Sequence, residues 1–172
     1  MFLQDRLTLW RSTAWEDQSI RWREDHLLLG FCRQCRQCCA PQPKGLPVHM
    51  ALLDWQLKEE NRSLLTMLDE KTALLDSSGC TALGVKGCRL SYKLRPVCCS
   101  IYPFTLLRGR LYLSTLCPAV YFIPLIRWYE ISDQVVAWLE RFSLSDQRRI
   151  SCDYPDAVLE SCFFFLKRTL FA

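Results

Sequence analysis

Glycine is scarce in this sequence, six residues in 172, and none of them builds the glycine-rich cofactor loop of the usual methyltransferase kind. Histidine is scarcer still. His26 and His49 are the only two, and no Ser/His/Asp or paired-carboxylate arrangement stands out. Long apolar runs are missing as well. The longest, Cys117 to Ile126, has ten residues and contains two prolines, against the ~20 apolar residues of a membrane span. Charges at Asp5, Arg6 and Arg11, and again from Glu16 onward, leave no apolar core for a secretory signal. The final Thr-Leu-Phe-Ala lacks the cysteine of a lipid anchor. These absences predict a cytoplasmic chain with reduced thiols and no membrane partner. A formal charge of +4, from 22 basic and 18 acidic residues, gives no reason to expect nucleic acid.

Half the residues are hydrophobic, enough for a sizeable core, and the length fits one domain over 1–172. The pattern predicts a mostly α fold with one β-hairpin, a small irregular domain organised around a cysteine-bound metal centre. Residues 1–29 read as two helical pieces, with Leu3, Leu7 and Trp10, then Ile20, Trp22 and Leu27 to Leu29. Pro41 to Pro47 reads as a loop. From Val48 to Asp76 leucines recur at three- and four-residue spacing, which predicts helix, with Asn61 capping a break. The acids Asp54, Asp69, Glu70 and Asp76 then read as solvated helix faces. Ser77-Ser78-Gly79 reads as a turn and 80–99 as irregular. Two β-prone runs around Arg108-Gly109-Arg110 predict the hairpin. Helices follow over 132–142 and from Pro155 onward, in a C-terminal helical segment, 119–172.

Against these absences stands cysteine, eleven residues of 172. Cys32, Cys35, Cys38 and Cys39 fall within eight positions, in the order CxxCxxCC. Two residues between thiols let both side chains turn toward one point while loop amides face the sulfurs, the geometry of zinc knuckles and iron–sulfur loops. Thiols this close are badly placed for disulfides with one another. Cys80, Cys88, Cys98, Cys99 and Cys117 form a second half of the set. Adjacent residues usually point in different directions, so one of each pair, 38/39 and 98/99, is expected to face a second metal or the core. Arg33, Arg36, Arg89 and Arg95 lie near these cysteines, where guanidinium charge can offset thiolates. His49 is the weaker candidate ligand. Cys162 and the aromatic run Phe163 to Phe165 read as core.

The combination CRQCRQCC at 32–39, GC at 79–80, GC at 87–88, RPVCCSIYPF at 95–104 and CP at 117–118 resembles the zinc- or iron-chelating cysteine-cluster family of the YkgJ type. The resemblance covers about 31–118 and implies a metal-binding core there. It implies the ligand set Cys32, Cys35, Cys38, Cys39, Cys80, Cys88, Cys99 and Cys117, with Cys98 as an extra thiol. Zinc or iron is the implied cofactor, with an iron–sulfur cluster as a further form. The chain departs from the family in two places: Arg36 stands where glycine is usual, and Cys88 lies one residue further from the Arg-Pro pair. The flagellin lysine N-methylase has a similar cysteine block, which makes cluster-dependent protein lysine methylation, or redox catalysis, the alternative reading. The residues themselves leave open whether the chain is an enzyme, whether a protein partner exists, and its oligomeric state.

Overall fold

A computed structural model describes residues 35–42 and 47–171. The helices expected over 1–29, with His26, and the residues Cys32 and Arg33 lie outside the described residues. The mostly α expectation is overturned: the described residues carry eight strands in three small antiparallel sheets. One sheet has the order β1 (Val48–Ala51), β3 (Thr72–Leu75), β2 (Thr66–Met67). A two-residue-loop hairpin joins β4 (Leu83–Gly84) to β5 (Gly87–Cys88). The third sheet runs β6 (Phe104–Leu107), β7 (Arg110–Ser114), β8 (Phe163–Thr169). Five short-to-medium helices complete the described part: α1 (Glu59–Leu64), α2 (Val97–Ile101), α3 (Leu125–Leu139), α4 (Leu144–Ile150) and α5 (Asp156–Cys162). No helix among the described residues is long and apolar enough to cross a membrane.

The segment read as helix from Val48 to Asp76 holds three strands, six α-helical residues and the 3₁₀ turn Asp54–Gln56. The reason is visible in β1 and the residues just after it. Met50 and Leu52 belong to one buried apolar cluster, and Ala51 and Leu53 to another. A strand that alternates between two cores shows a continuous apolar run, because both of its faces exclude water. Of the periodic apolar residues that follow, Leu64 ends α1, Leu65 comes just after it, Met67 lies in β2 and Leu68 in the bend beyond. Asn61 is no helix-break cap: it is buried inside α1 and donates to the carbonyls of Gln56 and Leu94, each at 2.6 Å. Asp69 and Asp76 sit in turns, not on helix faces. The turn at Ser77 to Gly79 forms as expected.

The larger core gathers Phe104, Leu106, Leu111, Leu113 and Leu166 from the third sheet and Trp128, Ile131, Val135 and Leu139 from α3. Phe104 and Trp128 meet edge to face with centroids 5.7 Å apart. The helix expected over 132–142 begins seven residues earlier, and Phe142 lies past its end, packed on Trp138. The smaller core holds Met50, Leu52, Leu65, Ala73, Leu75, Ala82 and Leu90. β1 and α2 pack together and separate the two cores. Val97 and Ile101 of α2 enter the larger core, and Cys98 and Cys99 pack against the smaller one.

The hairpin expected from sequence is present, with register Leu107↔Arg110. Its two loop residues, Arg108 and Gly109, both have positive φ, 47° and 73°, as a tight hairpin turn of matching twist requires. The last expected helix is short, ending at Cys162, and Phe163 to Thr169 joins the sheet as β8, paired with β7. Leu166 is buried in the core, but Phe163 and Phe165 are half-buried and Phe164 is exposed, so the aromatic run expected as core forms a pleated strand surface, which suits such residues better than a helix. Gly109 is fixed twice over, since a methyl group there would collide with the Phe171 carbonyl oxygen. Gly109→Ala is therefore expected to lower stability by more than the ~1–2 kcal/mol of a left-handed non-glycine residue. Chemical denaturation checks this, and an unchanged midpoint would contradict the turn geometry.

Candidate metal centre

The site begins with a backbone junction. Arg36 takes a left-handed conformation (φ 52°) at the entry to a 3₁₀ turn spanning Gln37–Cys39. This is the position where the resembling family usually carries glycine, the residue that adopts such a φ without steric cost. The amide of Cys80 donates to the carbonyl of Cys39 at 3.0 Å, and that of Gln42 to Asp76 at 2.8 Å. Two segments some forty residues apart are thereby laid side by side. Gly79 (φ 83°) makes the approach possible: a methyl group on it would meet the Cys39 carbonyl and the Pro41 ring at 3.3 Å. Asp76 shapes the turn by accepting from the Ser78 amide (2.8 Å) and hydroxyl (2.6 Å). Those two donors hold its carboxyl below the usual carboxylate range.

This junction brings thiols together. The sulfurs of Cys38 and Cys39 are 3.9 Å apart, so this adjacent pair faces one place, contrary to expectation, because the tight 3₁₀ turn does not alternate its side chains as a strand does. Cys39 also contacts the thiol of Cys80. Cys99, delivered by the first turn of α2, has a buried sulfur that contacts Cys98 and lies within electrostatic reach of Cys38 and Cys80. Cys98 and Cys99 thus also touch each other.

The protonation pattern follows from these contacts. Cys39 donates its proton to Cys80, and the amides of Ala82 and Leu83 point at the same sulfur, which pulls the Cys80 thiol down to about 6. Contact with Cys38 and Cys80, then burial, push Cys39 upward. Contact with Cys98 and burial do the same to Cys99.

The remaining sequence candidates are placed as follows. Cys35 is half-buried at the start of the described block. Cys88 sits on β5 and packs against the smaller core, on the hairpin that opens three residues after Cys80. Cys117 is buried in the larger core at the entry of a 3₁₀ turn, Pro118–Tyr121. The His49 side chain is exposed near Asp69. Arg36, Arg89 and Arg95 donate to the carbonyls of Val85 (2.6 Å), Thr81 (2.7 Å) and Leu90 (3.3 Å), bracing the loops around the thiols. Buried Gln56 and Asn61 tie down the entry to α2: Gln56 donates to the Arg95 carbonyl and Asn61 to that of Leu94. Sequence reasoning missed Met50, whose thioether sulfur lies 3.7 Å from the Cys99 thiol. No motif marks a methionine on a strand.

The donor set fits a thiophilic ion. Four thiolates around a tetrahedral ion with metal–sulfur bonds near 2.3 Å sit about 3.8 Å from one another, and the Cys38–Cys39 separation is of that size. Among the described residues, no group of three or more His, Cys, Asp or Glu side chains is gathered as closely as a bound ion requires. The thiols meet in pairs, and Cys32 lies outside the described residues.

Thiols delivered by a 3₁₀ turn, a glycine turn and a helix start to one junction define a cysteine-cluster protein. The chain belongs to the CxxCxxCC family, described as "Putative zinc- or iron-chelating domain", whose model matches residues 31–118, 88 of the 172. No curated protein and no solved structure matches the chain, and the expected likeness to the flagellin methylase is not shown.

In reduced, metal-free protein, Cys80 is expected to alkylate with a midpoint near pH 6, against about 8.5 for an ordinary thiol. Its depressed value means that this thiolate favours the native state at higher pH and loses that contribution as pH falls through about 6. Cys39→Ala removes the donor and should raise the midpoint. Mass spectrometry of pH-dependent alkylation reads both, and an ordinary midpoint for Cys80 in the unsubstituted protein would contradict the described contact.

Proposed function

We propose that the chain binds zinc or iron through thiolates at the junction of the 35–39 block, the Gly79-Cys80 turn and the start of α2. Cys38, Cys39, Cys80 and Cys99 form the centre of the ligand set. Cys32 and Cys35 join from the same block, Cys88 from the neighbouring hairpin and Cys117 from the family's closing Cys-Pro. The observation that carries this reading is that Cys39 contacts both Cys38 and Cys80 beside the Cys39–Cys80 backbone hydrogen bond, with Cys99 in electrostatic reach. A mononuclear ion is favoured over an iron–sulfur cluster, because the likeness to the cluster-binding spacing, CxxCxxC with a remote Cys-Pro, is only partial. The segment 31–118 acts as the metal-binding core of a single domain. A reducing, cytoplasmic setting suits it, since ligating thiols must be free of disulfides, and the described cysteines are.

Metal binding on ligands from distant segments contributes directly to folding free energy. Protein purified without oxygen should therefore carry stoichiometric zinc or iron, and a colourless, zinc-replete sample would agree with the mononuclear reading. Cys35→Ser and Cys99→Ser, sixty-four positions apart, should each lose metal and melt at lower temperature, since a hydroxyl is a much poorer ligand than a thiolate. Cys162→Ser, at the end of α5, should keep the metal. Elemental analysis with an absorption spectrum and thermal melting measures all three. Full metal in the first two variants, with loss in the third, would overturn the ligand assignment.

A further inference from the structure

The stretch from Leu111 to Ile126 carries no charged residue, and the fold brings the end of it to the surface. Ala119 is buried in the larger core, and Val120 and Ile123 pack against that core. Their neighbours turn outward: Tyr121 is 72% exposed, Phe122 77%, Leu125 45% and Ile126 64%. Tyr121 closes the 3₁₀ turn Pro118–Tyr121, and Leu125 and Ile126 open α3. Five peptide steps separate the first from the last, so the four residues lie within ~18 Å of one another. Nine large hydrophobic residues are exposed among the described residues, and four of them fall in these six positions. The other five are scattered singly along the chain, as is ordinary for a surface.

One turn further on, the surface changes character. Arg127 donates to Glu130, and the exposed positions of α3 beyond it include Asp133 and Glu140. The apolar patch is confined to the start of the helix and is bordered by an ion pair of both signs. Aromatic side chains, no charge within and a polar rim are the composition of an interface core. The geometry points to a self-association surface, on which a second copy of this chain docks through the same residues about a two-fold axis. Area favours this occupant: two aromatic and two aliphatic side chains so exposed offer about 400–500 Å² per copy. With exposed Pro124 and the charged rim, two facing copies bury about 1,000 Å², the size at which specific interfaces begin. Charge favours it too. A rim with one charge of each sign is complementary to itself after a two-fold rotation, so Arg127 and Glu130 can exchange partners between copies. An anionic membrane surface would instead call for several lysines and arginines around the apolar residues, and the arginine beside this patch is already paired with an acid. An interface of this size is weak and concentration-dependent. No thiol of the proposed metal centre takes part, so the two readings fail independently.

The test is sedimentation velocity on the full chain, reduced and purified without oxygen, across the micromolar range, with zinc and iron measured in the same samples. The mass should rise with concentration from one chain toward two. Tyr121→Asp and Ile126→Asp set like charges opposite each other across the two-fold axis and should each weaken association at least ~10-fold. Metal content and thermal melting should stay unchanged in both, because the two side chains face solvent in the single chain. Leu68→Asp, at an exposed leucine outside the patch, should associate as the unsubstituted protein does. In the unsubstituted chain, oxidative labelling of Tyr121 and Phe122 should fall as concentration rises, a readout that needs no variant to fold. A chain that stays monomeric up to about 1 mM, or a dimer that both variants leave unchanged, overturns the surface. A monomer that binds phosphatidylcholine–phosphatidylserine vesicles through Tyr121 and Ile126 overturns it in favour of a lipid-facing patch. A monomer whose Tyr121 resists labelling at every concentration overturns it in favour of a patch covered within one chain. A dimer sensitive to both variants, in protein that holds no zinc or iron, refutes the function proposed above and leaves this surface standing.

Discussion

The arrangement depends on how one strand and one helix divide the apolar residues between two cores. β1 sends alternate residues to opposite sides, and α2 does the same with Val97 and Ile101 against Cys98 and Cys99. Neither element can shift register without exposing apolar surface on one side or the other, at roughly 25 cal/mol per Å². The thiols on their sulfur-facing side are therefore positioned by burial of their neighbours, and the centre inherits its rigidity from the packing. The buried amides of Gln56 and Asn61 add direction, since each donates to a carbonyl at the approach to α2.

Around that wall the centre is an electrostatic problem with an incomplete solution. Several thiols crowd into partly dry surroundings, where Cys80 is favoured as a thiolate. Cys39 and Cys99 are pushed the other way, by contact with neighbouring thiols, by burial and by the repulsion a second negative charge would meet. A divalent cation reverses that balance by supplying the missing positive charge. Metal affinity, thiol protonation and folding are then one coupled equilibrium, which is consistent with short strands and irregular loops in the region that holds the thiols.

What the sequence discloses follows the range over which each signal acts. The hairpin at 104–114 was legible because its turn chemistry is local, as was the Ser77 to Gly79 turn. The CxxCxxCC block and the glycine before Cys80 were legible because ligand spacing and close backbone approach leave residue-level marks; the left-handed Arg36 shows that such a mark can be lost while the backbone shape remains. β1 was hidden, because Met50 and Leu52 enter one core and Ala51 and Leu53 the other, which leaves a continuous apolar run and no clear period of two. β8 was hidden behind an apparently good helix start at Pro155, and its fate was decided by pairing with β7, a contact some fifty residues away. Met50 could not be found in sequence at all, since its approach to the Cys99 thiol is made only by tertiary packing.

The central claim is that sulfur from these separated segments binds the metal. X-ray absorption at the edge of the bound metal, on protein purified without oxygen, reads the donor atoms directly. The account predicts a shell of four sulfur scatterers, near 2.3 Å for zinc. A shell dominated by nitrogen and oxygen near 2.0–2.1 Å would contradict it.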